Sequence, residues 1–560
     1  MTLPGWAQIA LVLALIATAA FPLGRYMARV FEAPAKPSAY YRLLGVDPTK
    51  PMGWQGYAGV IMILSAMHFV LLYAMLRLQF YLPFNPQHIA GMSPRLAFNT
   101  AMSFLTNTNW QVYVPEQQIS YGSQMWGLTA HMFLSAAAAM AAALAVSRAF
   151  GRRGVGDLGN AWVDLTRIIT LVLLPLAVLV GLVLMIGGVP QTLSAYPTAT
   201  TLEHGQQIIA LGPVAFMEAI KLLGTNGGGF LNANSAHPFE NPSAFTCLVQ
   251  IWSFLVIPFS LAIMFGHIVG DKRQGRALFI AMGVLLVAGT LGVYAAESAS
   301  TPMMAHFGVD TVAGNMEGKD VRFGVPLSSF FAAATTGTSC GAVNTMHDSL
   351  TPLGGAVTLF MMELGEVAPG GVGSGLFSMI VYALLAVFIA GLMVGRTPEY
   401  LGKKVQSREI KLAMLAVLIL PLAMLGGTAI SLSTASGLGS LENAGPHGLS
   451  EMLYAWTSAT ANNGSAFAGI SGDTPLLDYG LATAMLLGRF AFLIPVLAIA
   501  GSLAAKPKIA ITAGTLPTHG LLFVGLLLGV IIILSGLQFL PALSLGPIAE
   551  HFAMIAGKTF

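Results

Sequence analysis

Ten stretches of this 560-residue chain are long and apolar enough to cross a bilayer, and that limits the fold more than any other feature. A helical crossing takes about 20 apolar residues. The stretches lie near 4–25, 57–80, 124–149, 161–188, 244–269, 275–296, 376–394, 410–432, 477–504 and 517–541. Backbone at that depth meets no water, so each stretch predicts a helix that satisfies its own polar groups. Charged residues are 9% of the chain, against about 25% in soluble domains. The expected class is an all-α polytopic membrane protein surrounded by membrane lipid. The net charge of +3 gives no reason to expect a nucleic-acid partner. Cys247 and Cys340 stand alone, so neither a disulfide framework nor a cysteine metal site is implied.

The first stretch ends in Ala-Thr-Ala-Ala, which superficially looks like a signal-peptide cleavage site. It has no basic leader, and Arg25 and Arg29 follow it, so a retained span is expected. Basic residues fix the orientation. They gather in 25–56, 148–153, 271–276, 396–411 and 505–510. The alternating stretches 81–123, 189–243, 297–327 and 433–475 are poor in positive charge. The basic set is therefore read as cytoplasmic, which places both termini outside.

Each long outer stretch holds an apolar piece too short to span, near 97–106, 213–224, 327–336 and 448–459. Each piece runs into a small-polar tripeptide. These are Asn107-Thr108-Asn109, Thr225-Asn226-Gly227, Ser339-Cys340-Gly341 and Asn462-Asn463-Gly464. Their last residues are 118, 114 and 123 positions apart. The pattern reads as span, re-entrant pore helix, loop and span, four times over, with 4–25 and 517–541 as additions. The corresponding division is 1–56, repeats at 57–153, 154–270, 271–405 and 406–508, and 509–560.

Four equivalent loops can form one ring of backbone carbonyls that replaces the hydration shell of a monovalent cation. Glycine at the third position of three copies would supply the left-handed backbone that turns carbonyls to an axis. Asn109 stands there in the first copy, which makes that quarter the expected exception. No tripeptide holds a carboxylate, which suits K⁺ or Na⁺ better than Ca²⁺ or Mg²⁺. Taken singly, each tripeptide is an ordinary turn; four in register on one face argue otherwise.

The segments LTNTNWQ (105–111), LGTNGGGFLNANSAHPFENP (223–242), TTGTSCGAVN (335–344), GGVGSG (370–375), GRTPEYLGKKV (395–405) and NNGSAFAG (462–469) resemble the KdpA family. These are the potassium-binding subunits of bacterial potassium-transporting P-type ATPases. The resemblance spans essentially the whole chain. It implies the fold of the superfamily of K⁺ transporters, K⁺ as the transported ion, and no organic cofactor. It also implies an inner-membrane complex with the ATP-hydrolysing subunit KdpB and the accessory subunits KdpC and KdpF. Carried over residue by residue, it places a K⁺ filter at the four tripeptides together with Gln111 and Gly228. Phe230 would then line an exit path toward the partner.

Glu363, Glu366 and Arg489 lie within apolar segments. Buried charges at bilayer depth usually pair or face water. Arg489 is expected to pair with Glu366 beside the break around Gly370, Gly371 and Gly373. There a fixed positive charge would bar K⁺ from the cytoplasm. The alternatives are a structural pair, or Arg489 snorkelling to the cytoplasmic surface. Glycines in the break could serve helix packing alone, but four in six residues beside Pro369 favour an unwound loop.

The chain carries no Asp-Lys-Thr-Gly phosphorylation motif. Ala556-Gly557-Lys558-Thr559 echoes the end of a Walker A loop, but Phe552 stands where its first glycine belongs. The expected role is thus a non-catalytic ion-binding subunit. A stand-alone K⁺ channel or Na⁺-coupled K⁺ transporter of the same superfamily is the alternative.

Overall fold

A computed structural model describes the chain except for residues 153, 155, 300, 303, 305–307, 310, 311, 511–514, 559 and 560. Arg153 of the basic set and Thr559 of the Walker echo lie outside the described residues.

Among the described residues, ten helices have span length and hydropathy: Leu3–Phe31, Trp54–Tyr81, Ser123–Gly151, Ala161–Ile186, Ala244–Ile268, Lys272–Glu297, Ser374–Val394, Ser407–Leu432, Pro475–Ala505 and Leu521–Ile555. They coincide with the ten apolar stretches. The last differs most. It continues past Pro541 through a wide turn at Ser544–Ile548, kinked at Gly546, into Ala549–Ile555.

Four shorter helices, Pro94–Leu105, Val214–Leu223, Gly324–Gly337 and Gly445–Thr460, each follow one span and precede another. At 1.5 Å per residue none of them crosses the hydrocarbon layer. In the third copy the second span is broken. A half-helix, Pro352–Glu363, is followed by non-helical Leu364–Gly373 and then by Ser374–Val394.

The second span of each copy lies inside. Its apolar window is 72%, 83%, 67% and 78% buried in copies one to four, against 22%, 39%, 56% and 44% for the first spans. The added first and last spans are each 28% buried and sit at the periphery. Lipid-facing Leu and Ile are as stable as buried ones, so depth in the bundle is set by packing of small residues. Ser123–Gly151 is rich in alanine for that reason.

A buried charge cluster ties spans together. Arg148 meets Asp164 at 2.6 and 3.0 Å, and the Tyr57 hydroxyl donates to the same carboxylate at 2.8 Å. This joins the second, third and fourth spans. Among the described residues, two short hairpins depart from a purely helical chain. Thr198–Thr200 pairs with Gln206–Ile208, and Glu399–Tyr400 with Lys403–Lys404. The second turns on Leu401-Gly402, both left-handed, as a two-residue hairpin requires.

Candidate functional site: four loops in a ring

The four short helices end in one way. The N–H groups of Thr108, Asn226, Cys340 and Asn463 donate to the carbonyls five residues back, at Ser103, Lys221, Thr335 and Ser458, at 2.8–3.1 Å. The preceding residue is left-handed in every copy, with φ of 67° at Asn107, 47° at Thr225, 50° at Ser339 and 50° at Asn462. This is the Schellman end of a helix, whose left-handed position is usually glycine. None of the four copies has glycine there.

The third position differs from expectation. It is left-handed at Asn109 (58°), Gly341 (80°) and Gly464 (91°). Gly227, a glycine, is not. The exceptional quarter is therefore the second, not the first. Asparagine tolerates the left-handed region well enough to stand in for glycine at Asn109.

The loops meet in a closed cycle. Asn107 Nδ2 donates to the carbonyls of Gly224 (3.2 Å) and Thr225 (3.0 Å). Cys340 Sγ lies 3.6 Å from the Asn226 carbonyl. Asn463 Nδ2 donates to the Thr335 carbonyl at 3.0 Å, and Asn462 Nδ2 to Thr108 Oγ1 at 2.9 Å. The third positions are crowded together. A methyl carbon on Gly227 would lie 3.2 Å from Gly341 Cα and 3.1 Å from the Thr108 carbonyl oxygen. One on Gly464 would overlap the Thr108 carbonyl, and one on Gly341 the Asn463 carbonyl.

The carbonyls are unequal. Among the described residues, no donor is bonded to the carbonyls of Thr108, Asn109, Ser339, Cys340, Gly341, Asn462, Asn463 or Gly464. In the second loop those of Thr225, Asn226 and Gly227 all accept from neighbouring side chains. Buried carbonyls left without donors are rare in folded proteins. Counting Asn107, nine in three adjoining loops are open to a ligand that supplies positive charge.

Gln111 is committed to the second loop. It accepts from Gly229 N–H (3.0 Å) and donates to the Gly229 carbonyl (3.3 Å). Gly228 faces the Phe104 ring. Phe230 is buried against Tyr121, with ring centroids 6.1 Å apart, and against Gly212. Gly212 precedes the second short helix, so Phe230 packs toward the N-terminal ends of these helices. The glycine break lies toward their C-terminal ends.

The break touches the ring. Gly370 N–H donates to the Gly337 carbonyl at 2.8 Å, and Val372 N–H to Thr225 Oγ1 at 3.0 Å. Gly373 (φ 94°) lies so close to Ala139 that a side chain would overlap its backbone. Gly371 faces the Thr338 carbonyl.

Arg489 rides on a wide turn, Leu487–Ala491. Such π-type turns re-aim a side chain by inserting one residue. Arg489 and Glu366, expected to pair, attract each other across a shared cavity without a direct contact within 4 Å. Arg489 Nη2 donates instead to the Ser135 carbonyl at 2.9 Å, and Ser135 Oγ donates to Asn107 Oδ1 at 2.7 Å. Asn462 and Ser374 line the cavity that Glu366 and Arg489 share. The backbone carbonyl takes the guanidinium because the wide turn directs it at the third span. Glu363 is 1% exposed, and neither carboxylate oxygen has a partner among the described residues.

Ser135, Lys221 and Asn234 join the ring through hydrogen bonds that sequence reading missed. Asn234 lies inside the 223–242 segment, and Lys221 is a lone cation in an apolar helix. Those were the available signals.

Residues 10–552 match the family model described as "KdpA: Potassium-transporting ATPase A subunit". The chain is 56% identical over 569 residues to a potassium-transporting ATPase potassium-binding subunit of Allorhizobium ampelinum, covering 100% of both chains. It is 56% identical over 565 residues to that of Beijerinckia indica, covering 99% of each. The crystal structure of the potassium transporter TrkH from Vibrio parahaemolyticus superposes with a TM-score of 0.52 at 15% identity, over 79% of this chain and 84% of that one. That likeness concerns the fold. With the family model spanning nearly all of its length, the chain belongs to the KdpA family of potassium-transporting ATPase A subunits.

Proposed function

We propose that this chain takes K⁺ from the outer side of a bacterial inner membrane, binds it in the ring of four loops and passes it to an ATP-hydrolysing partner. The observation that carries the reading is the closed ring with donor-free carbonyls in three of its loops. Neutral oxygens at close quarters favour a weakly hydrated monovalent ion. The filter comprises Asn107, Thr108, Asn109, Thr225, Asn226, Gly227, Ser339, Cys340, Gly341, Asn462, Asn463 and Gly464, with Gln111 and Gly228 bracing it. Glu366, Arg489 and the loop at Gly370, Gly371 and Gly373 form the barrier beneath, and Glu363 lies beside it. In this reading KdpB hydrolyses ATP, and KdpC and KdpF complete the complex. Both termini are periplasmic, and the four repeats follow the boundaries given above.

The test uses the assembled complex. Gly341→Asp is expected to raise the K⁺ concentration for half-maximal ATP hydrolysis by more than tenfold and to reduce preference for K⁺ over Rb⁺. Unchanged ion dependence in a complex that assembles normally rejects the filter.

A further inference from the structure

The second loop differs from the other three because its backbone is held from outside the ring. Asn234 Nδ2 donates to the Gly227 carbonyl at 2.7 Å. No other third-position carbonyl has such a partner among the described residues.

The orientation of that amide is fixed by its surroundings. Three donors converge on Asn234 Oδ1: Lys221 Nζ at 2.7 Å, the Ser235 N–H at 2.8 Å and the Val343 N–H at 3.4 Å. An amide flipped end for end would set its NH₂ against three donors. Nδ2 must therefore face Gly227. Asn234 itself is left-handed (φ 54°), a conformation asparagine tolerates.

Lys221 is in turn held by carboxylates. Its ammonium meets Glu218 at 2.8 Å and Glu240 at 3.0 Å, and all three side chains are at most 1% exposed. Glu240 also accepts from the Leu231 N–H at 2.8 Å, and Glu218 from Ser235 Oγ at 3.0 Å. A desolvated ion pair of this kind adds little net stability, but moving any one member strands a buried charge. The cluster is built from the second short helix and from the segment after its loop, so it references Gly227 to the rigid part of its own repeat. The Val343 contact carries the same reference to the third loop.

We infer that Asn234, oriented by Lys221, is a positioning residue of the ion site that keeps the Gly227 carbonyl out of the arrangement adopted by its three counterparts. The ring then offers unequal oxygens at its third level, and ion preference depends on that inequality. This rests on the K⁺ reading given above.

The experiment compares Asn234→Asp and Asn234→Leu in the assembled complex, reading K⁺- and Rb⁺-dependent ATP hydrolysis. Aspartate keeps the acceptor for Lys221 and sets an oxygen against the Gly227 carbonyl. Leucine keeps the bulk and removes both functions. Asn234→Asp is expected to raise the K⁺ half-saturation about tenfold and to narrow the K⁺-to-Rb⁺ ratio, and Asn234→Leu to do so by about threefold. Maximal hydrolysis at saturating K⁺ stays near the unmodified level. A structural role alone would lower yield or maximal rate without moving the ion ratio. The inference is overturned if both variants assemble with an unchanged ratio, or if neither assembles, since positioning leaves the fold intact. If only one assembles, its ratio decides. An unmodified complex that ignores K⁺ rejects the underlying ion reading; one that responds while the variants match it rejects only the role of Asn234.

Discussion

The side-chain amide of Asn462 donates to the hydroxyl of Thr108 across 2.9 Å, and this bond between residues 354 apart joins the fourth loop back to the first. The same amide also donates to the Met485 carbonyl at 2.9 Å. One asparagine thus ties together two loops and an inner span. Asn462→Leu removes both bonds and leaves Thr108 with the neighbouring hydroxyl of Thr106. A net hydrogen bond is worth about 0.5–1.5 kcal/mol. The expected outcome is a rise of roughly three- to tenfold in K⁺ half-saturation, measured as K⁺-stimulated ATP hydrolysis.

Gly464 tests crowding in the ring independently of charge. Any side chain there meets the Thr108 carbonyl at an overlapping distance. The left-handed φ of 91° adds its own penalty. Gly464→Ala is expected to abolish high-affinity K⁺ response while the complex still assembles. Gly525→Ala, at a position with open space around it, serves as the matched control.

Arg489→Met asks whether the charge beneath the ring is a barrier. The side chain is 7% exposed and its guanidinium rests on the Ser135 carbonyl. Without it, the path below the ring holds no fixed cation among the residues of that cavity. Passive K⁺ leak through reconstituted vesicles is the expected result. A tight vesicle would leave Arg489 with a structural role only.

Near the N-terminal end of the fourth short helix, His447 clamps the C-terminal helix. Its imidazole bridges Asp348 (2.9 Å) and Glu550 (2.8 Å). Burial opposes the charged form, but the hydrogen bonds to Asp348 and Glu550 outweigh it and push the group up to about 10 from 6.5. A raised value means the clamp stabilises fully below pH about 6.5 and fades as pH climbs through about 10. Thermal unfolding of the purified complex should show this alkaline loss. His447→Gln should remove it and lower stability at neutral pH by about 1.5–3 kcal/mol.

Arg148→Met should prevent assembly. It leaves Asp164, 1% exposed, without its counter-charge. Breaking a buried pair from one side costs about 3–5 kcal/mol. Arg148→Met combined with Asp164→Asn should recover membrane yield, measured by the amount of complex extracted.

The spans and short helices were readable because hydropathy over 20 residues is a local property. The tripeptides were readable because each follows a short apolar run. The details inside the loops were not. Glycine at Gly227 suggested a left-handed backbone, yet the residue is held otherwise by Asn234. Asn109 suggested an exception and follows the common pattern. Thr225, a β-branched residue, takes a left-handed conformation that no propensity favours, and Val372 on the glycine break bonds its hydroxyl. Shared polarity and depth do bring Arg489 and Glu366 to one cavity, but not into direct contact. A one-residue insertion in a helix turn, invisible to hydropathy, sends the guanidinium to Ser135.

Sequence by itself determined how many times the chain can cross a membrane, where the short helices lie, and that no nucleotide chemistry is carried by its motifs. Burial of apolar surface and self-satisfaction of backbone bonds act along contiguous residues, so the order of amino acids suffices for them. Only tertiary structure decided which carbonyls are left without donors. That depends on side chains from other repeats, more than a hundred residues away, such as Asn107 on Thr225 and Asn463 on Thr335. Hydrogen bonds reach about 3 Å and are directional, so the character of each quarter of the ring is set by what folding brings within that distance.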